Sequence, residues 1–205
     1  MIKKRGSYNG QIRNVKEKKK RFKETVGKIF TSRNFAELGV NKVANKSGIS
    51  KSLLYRYFGN FNNLVEQFLL EHDYWSNVDQ ELSPKSEKQR EEVKDIFNGL
   101  FDYLVNKPEG SGLVAWELVE QNRPIFNMLK RRESVGDSFF SRTDDNFGKE
   151  IDFRAISAIL IGGIYYLSAY GFQQEVPFFG LEVDKEGNRI MDAIDFLLDK
   201  VYESS

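Results

Sequence analysis

The sequence predicts an all-α chain: an N-terminal three-helix domain built around a helix-turn-helix, then a larger C-terminal helical body. Three observations predict it. Apolar residues recur at i, i+3 and i+4, as in Val93, Ile96, Phe97, Leu100, Phe101 and Leu104, which is the period of an amphipathic helix. No segment sustains the alternation of a half-buried strand. Residues 39–58, GVNKVANKSGISKSLLYRYF, have the small, glycine and apolar positions of two short helices that cross closely. The 205 residues suffice for one small and one larger helical unit.

The elements follow in order. Residues 1–10 are expected to form a basic flexible arm, residues 11–59 the helix-turn-helix domain and residues 60–205 the body. A first helix from about Asn14 to Ser32 carries Phe22, Val26, Ile29 and Phe30 on one face. Val40 and Val43 mark a short second helix, and Gly48 supplies the positive φ that ends it. Ile49 can plug the corner, and Ser50 is a side-chain N-cap for the third helix, whose inward stripe is Leu54 and Phe58. Asn60 caps a fourth helix to about Asn77. Pro84 and Pro108 bracket the amphipathic helix that carries Val93 to Leu104. Ser111 or Gly112 starts the next helix, Pro124 sits in the first turn of another, and residues 134–150 read as a loop or irregular helix. Residues 151–171 form one helix, apolar nearly all round, and Asp184 is expected to cap the last helix, from about Lys185 to Tyr202.

On the third helix, the residues left facing outward are Lys51, Ser52, Tyr55 and Arg56. A cation, hydrogen-bond donors and an aromatic on so short a helix suit a DNA major groove. Charge points the same way. Residues 1–60 carry 16 Lys and Arg against 3 Asp and Glu, and residues 61–205 carry 15 against 27, so a net +13 and a net −12 hide within an overall +1. A basic end beside an acidic body is the footprint of a chain that meets phosphates at one end.

Phe30 to Leu64, FTSRNFAELGVNKVANKSGISKSLLYRYFGNFNNL, resembles the N-terminal domain of the TetR/AcrR family of bacterial transcription regulators. The matching features are Phe30, Phe35, Val40, Val43, Ala44, the run Gly48 to Lys51, the run Leu54 to Phe58, and Leu64; SKSLLYRYF is the most specific part. The resemblance implies that Lys51, Ser52 and Leu53 reach bases, that Tyr55 and Arg56 make groove and backbone contacts, and that Tyr57 meets a phosphate. The candidate DNA-contact set is therefore Asn41, Lys46, Ser50, Lys51, Ser52, Leu53, Tyr55, Arg56 and Tyr57. The chain also departs from the family. Ser52 and Leu53 stand where the family has glycine and a small polar residue, and Asn34, expected to be left-handed, replaces a glycine. Gly39 replaces a Ser or Thr cap. Phe61 stands in a stretch that usually carries lysines, so the phosphate contact of the fourth helix is in question, and the basic arm is a candidate to compensate.

The resemblance also implies a C-terminal ligand-binding and dimerisation domain. A helix apolar on every side must be covered on every side, and a second copy of the chain covers it most simply. Gly162 and Gly163 would allow close approach, giving a four-helix interface drawn from Ile159, Gly162, Gly163, Tyr166, Ile190, Ile194, Leu197 and Val201. Such a dimer would present two recognition helices to a pseudo-palindromic site. The family's cavity for an inducer is assigned here to Trp75, Phe97, Phe101, Tyr103, Trp116, Glu120, Tyr165 and Tyr166. Glu117 and Glu120, if buried, would favour a cationic or hydroxylated ligand; the alternative is that they are solvated or paired with an arginine, and Arg123 is close by. The expected function is a ligand-responsive regulator, a repressor released by a small-molecule inducer. The alternative is a helix-turn-helix module that organises DNA or binds a protein and senses no small molecule.

Composition argues against other classes. There is no cysteine, and the only histidine is His72, so thiol redox chemistry is out and zinc sites lack ligands. No phosphate-cradling glycine motif is present. No catalytic residue, cofactor or metal is expected. The N-terminus lacks the apolar core of a signal peptide, and a cytoplasmic location is expected. Ala155 to Tyr170 is the one membrane-like stretch, and its 16 residues fall short of a bilayer span, which needs about 20.

Overall fold

The computed structural model describes residues 4–32, 34–77, 87–143, 147 and 150–204, with side chains from residue 12 onward. Among these residues the chain is mainly helical: α1 (Lys4–Thr31), α2 (Val40–Ser47), α3 (Lys51–Phe58), α4 (Phe61–His72), α5 (Glu87–Asn106), α6 (Pro108–Glu117), α7 (Arg123–Thr143), α8 (Phe153–Gln173) and α9 (Gly187–Glu203). One-turn 3-10 helices follow α1 and α4, at Phe35–Glu37 and Tyr74–Ser76. The only extended pairing among the described residues is a bridge between Phe178 and Leu181.

The N-terminal core forms where the sequence places it. Phe22, Val26, Ile29 and Phe30 of α1, Val43 of α2, Ile49 in the turn, Leu54 and Phe58 of α3, and Leu64, Val65, Phe68 and Leu69 of α4 are all buried together. Each such side chain contributes about 1.5–3 kcal/mol by leaving water. Gly48 has φ 65°, and its N–H reaches the carbonyls of Ala44 and Asn45. Asn60 caps α4 as expected, accepting from Asn63 N–H at 2.8 Å.

Several boundaries differ from expectation. The segment expected to be a flexible arm is helical from Lys4, and Met1–Lys3 lie outside the described residues. The buried turns of α1 supply the nucleus, and each residue added N-terminally gains a backbone bond at little further cost. Asn34 is not left-handed: its φ is −100°, and its carbonyl accepts from Glu37 N–H to close the 3-10 turn. Ser50 occupies the N-cap position of α3, but its hydroxyl pairs with that of Ser52 at 3.0 Å and takes no backbone N–H. α4 stops at His72, short of Asn77, because Asp73 turns its buried carboxylate to Ser76 and Arg132.

In the body, α6 begins at Pro108, not at Ser111 or Gly112; proline fits the first helical turn, where its missing N–H is no loss. A Cβ on Gly112 would lie 2.8 Å from the Phe30 carbonyl oxygen, so this glycine lets α6 lie close on α1. α7 is regular to Thr143, where a loop was expected from residue 134. Phe139 and Phe140 hold that end by ring contacts with Phe153 of α8. Pro84, and residues 144–146, 148 and 149 of the expected loop, lie outside the described residues. The cap of α9 is Glu186, not Asp184, and the Glu186 carboxylate accepts from Glu182 N–H at 2.9 Å.

The body core gathers α5, α8 and α9 around Val93, Phe97, Leu100, Phe101, Ile164, Ile190, Ile194 and Leu198. The N-terminal core also continues into the body, through Leu113 and Trp116 of α6 and Ile125 and Met128 of α7. At 21 residues, α8 is long and apolar enough to cross a membrane by length and composition, so length does not exclude a span as the shorter stretch had suggested. One side of α8 packs on α5 and α6.

Candidate nucleic-acid interface and body cavity

α3 stands on the surface because Leu54 and Phe58 anchor its inner side. Opposite them Lys51, Ser52, Tyr55 and Arg56 are exposed, and Lys51 Nζ lies 5.8 Å from the centre of the Tyr55 ring. Ser50 at the helix start and Asn41 in the first turn of α2 are exposed as well. Leu53 and Tyr57 are half-buried against the N-terminal core, so packing already uses part of each side chain. Lys46 forms an ion pair with Glu37, a hydrogen bond that also holds the Glu37 carboxyl below its usual range. Lys46 is thus already neutralised at the edge of this surface. Phe61, at the start of α4, packs against the same core.

The basic flank of α1 extends this surface. Arg13, Lys16 and Lys20 are exposed, and Lys19 lies over the Phe58 ring at 5.5 Å. Arg21, which the motif did not single out, places its guanidinium against the Gly48 turn; a Cβ there would be 3.2 Å from Arg21 Nη2. Its position depends on how α1 crosses α2 and α3, which no local pattern records.

The body holds a cavity of about 480 Å³ between the Tyr74–Ser76 turn, α5, α6, α7 and α8. Trp75, Phe97 and Tyr165 of the expected set line it. The other expected residues lie elsewhere. Phe101 is buried in the body core, and Tyr103 donates to the His72 carbonyl at 2.9 Å. Trp116 sits edge-on to Phe30, at 5.0 Å, in the N-terminal core. Glu120 is exposed after α6, and Tyr166 is 53% exposed on the outer side of α8.

The cavity contains what the sequence pattern missed, a buried ion network. Arg132 of α7 donates Nε to Asp73 at 2.8 Å and Nη1 to both Glu117 oxygens at 2.9 and 2.8 Å. Its guanidinium lies 5.3 Å from the Tyr165 ring centre, and Trp75 Nε1 donates to the Tyr165 hydroxyl at 2.7 Å. Burial opposes the charge on Arg132, but Tyr165, Glu117 and Asp73 outweigh it and raise the pKa. Burial pushes the Glu117 carboxyl up against the pull of Arg132, and pushes the Tyr165 hydroxyl up to about 12. Helical spacing alone could not assemble the group, because its members come from four separate elements.

The expected dimer surface divides. Ile159 is 74% exposed, Leu197 is exposed, and side chains added at Gly162 or Gly163 would meet nothing within 4 Å. With Tyr166 at 53% exposure, they leave apolar surface open on α8 and on α9. Ile190 and Ile194 instead point into the body core, and Val201 is half-buried against it. The apolar stripe of α9 is wide enough to serve two sides, and α5 takes the one that carries the isoleucines.

Comparison with known proteins agrees with this arrangement. Residues 28–68 match the family described as bacterial regulatory proteins, tetR family. The fold is similar to the crystal structure of a TetR family transcription regulator from Marinobacter aquaeolei VT8, with a TM-score of 0.60 and 17% identity over 93% of this chain and 97% of that one. No match is found among curated protein sequences. Residues 28–68 thus match the tetR family model by sequence, and the fold of the whole chain is similar to that of a TetR family transcription regulator.

Proposed function

We propose that the protein is a cytoplasmic repressor that binds a pseudo-palindromic operator as a homodimer and is released by a small molecule held in the body cavity. The observation that carries the DNA reading is α3, whose outer side offers Lys51, Ser52, Tyr55 and Arg56 on a helix fixed from behind by Leu54 and Phe58. Asn41, Ser50 and the basic flank of α1 support phosphate contacts around it, and the flank offsets the loss of a lysine at Phe61. Leu53 and Tyr57 can contribute only the parts that packing leaves open.

The open face of α8 and α9 supports the dimer, through Ile159, Gly162, Gly163, Tyr166 and Leu197. A two-fold axis there would set two recognition helices on half-sites about 34–36 Å apart. The effector acts only through a difference in its affinity for the two states of the protein. Arg132 ties the cavity to Asp73, the residue that ends α4, and α4 packs on α1 and α3.

The test is selection of bound duplexes from a random pool at about 150 mM salt, where weak phosphate attraction is screened. The expected result is an enriched inverted repeat. Uniform binding, or none, by the folded dimer would replace this reading with a DNA-organising or protein-binding role. Titrating the selected complex with small molecules then tests release.

A further inference from the structure

We propose that the body cavity takes a hydrophobic organic cation, held between its aromatic walls and its surplus of carboxylates. This rests on the reading of the cavity as the effector site and specifies the class of effector. Trp75, Phe97, Phe139, Phe140 and Tyr165 form the walls, and about 480 Å³ is within the range of small-molecule sites. Three carboxylates line the cavity, Glu117, Glu133 and Asp137, and Asp73 stands behind it on Arg132. Against these four stand two guanidiniums, Arg132 and Arg154, which leaves a net charge of −2.

Both guanidiniums are already engaged. Arg132 is shared between Asp73 and Glu117. Arg154 donates Nη1 to Asp137 at 3.3 Å and lies over the Phe140 ring at 4.9 Å. An anion entering the cavity would compete with carboxylates already paired to both guanidiniums. A cation finds Glu133 exposed on the rim, Glu117 in the wall and aromatic faces that attract positive charge. Glu117 is also the last residue of α6, so the carbonyl end of that helix adds to the negative potential. A bound cation competes with Arg132 for Glu117 and so acts on the network that Arg132 shares with Asp73 at the end of α4.

The experiment compares tetraphenylphosphonium with tetraphenylborate, which has the same shape and the opposite charge, and with uncharged triphenylphosphine oxide. Binding to the full chain is measured by calorimetry and by fluorescence of Trp75; the other tryptophan, Trp116, is buried in the N-terminal core. Tetraphenylphosphonium is expected to bind at least tenfold tighter than either comparison compound. Glu133→Gln should weaken it several-fold at unchanged melting temperature, while Glu175→Gln, outside the cavity, should leave it unchanged. Glu117→Gln should weaken it further. Equal or tighter binding of the borate or the neutral compound overturns the cation assignment and leaves the effector reading standing. Binding by none of the three also overturns it, and release of the selected DNA complex by some other compound would then show that the effector reading survives. Equal losses from Glu133→Gln and Glu175→Gln would mean that the body's overall charge, not the cavity, attracts the cation, and would also overturn it.

Discussion

The two cores of this protein are built differently. The N-terminal core is closed by apolar side chains, with the buried hydroxyls of Thr25 and Ser47 bonded back to their own helices, and it turns its charge outward, on α3 and the flank of α1. The body places an ion network, Asp73, Arg132 and Glu117, beside its apolar core and against a cavity. A dry core suits a scaffold that must present one helix in one geometry. Buried charge is costly to desolvate and is held only by good pairing, so it is the part that a competing ligand can disturb.

The largest effect should come from breaking that pairing. Arg132→Met leaves two buried carboxylates without their partner and is expected to cost about 3–5 kcal/mol in chemical unfolding. Leu54→Ala in the dry core should cost about 2–5 kcal/mol through lost burial and a cavity. If Arg132→Met proved neutral, the network would not be structural. Next is the seam between the two cores. Gly112→Ala forces a Cβ to within 2.8 Å of the Phe30 carbonyl oxygen and should cost about 1–3 kcal/mol. Gly162→Ala meets nothing within the chain, so any loss there should appear in the dissociation constant of the proposed dimer and not in the unfolding of the monomer.

A smaller effect on stability but a clear one on binding is expected from Lys51→Ala combined with Tyr55→Ala. DNA affinity should fall at least tenfold, while unfolding shifts by less than about 0.5 kcal/mol, as for exposed positions. Unfolding of this variant would show that the two side chains belong to the core. The smallest effect is the pH dependence of His72. Burial against Phe68 lowers its pKa below the ordinary 6.5. The unfolded chain therefore binds the proton first, and stability should fall as pH drops from 6.5 toward the folded pKa. His72→Gln should remove that slope, and an unchanged slope would assign it to another group.

Much of the N-terminal domain is legible in its sequence because its determinants are local. Gly48 and Asn60 mark turns and caps within a few residues, and Leu54 and Phe58 are one helical turn apart. The body is legible as helices but not as a site. Trp116 and Trp75 are both tryptophans among apolar neighbours, yet one lies in the N-terminal core and the other lines the cavity. On α9 the periodicity marks an apolar stripe but does not say that Ile190 and Ile194 face α5 while Leu197 faces outward.

By itself, then, the sequence determined the helical class, the helix-turn-helix, the basic end and the outward residues of α3, since each depends on neighbours within one or two turns. Only the tertiary structure decided that Asp73, Glu117 and Arg132 meet, that Tyr165 and Trp75 close over them, and that Phe61 packs against the N-terminal core. Those pairings join residues tens of positions apart, and they form only when the packing of α4, α6, α7 and α8 makes burying the charges together less costly than leaving any one of them unpaired.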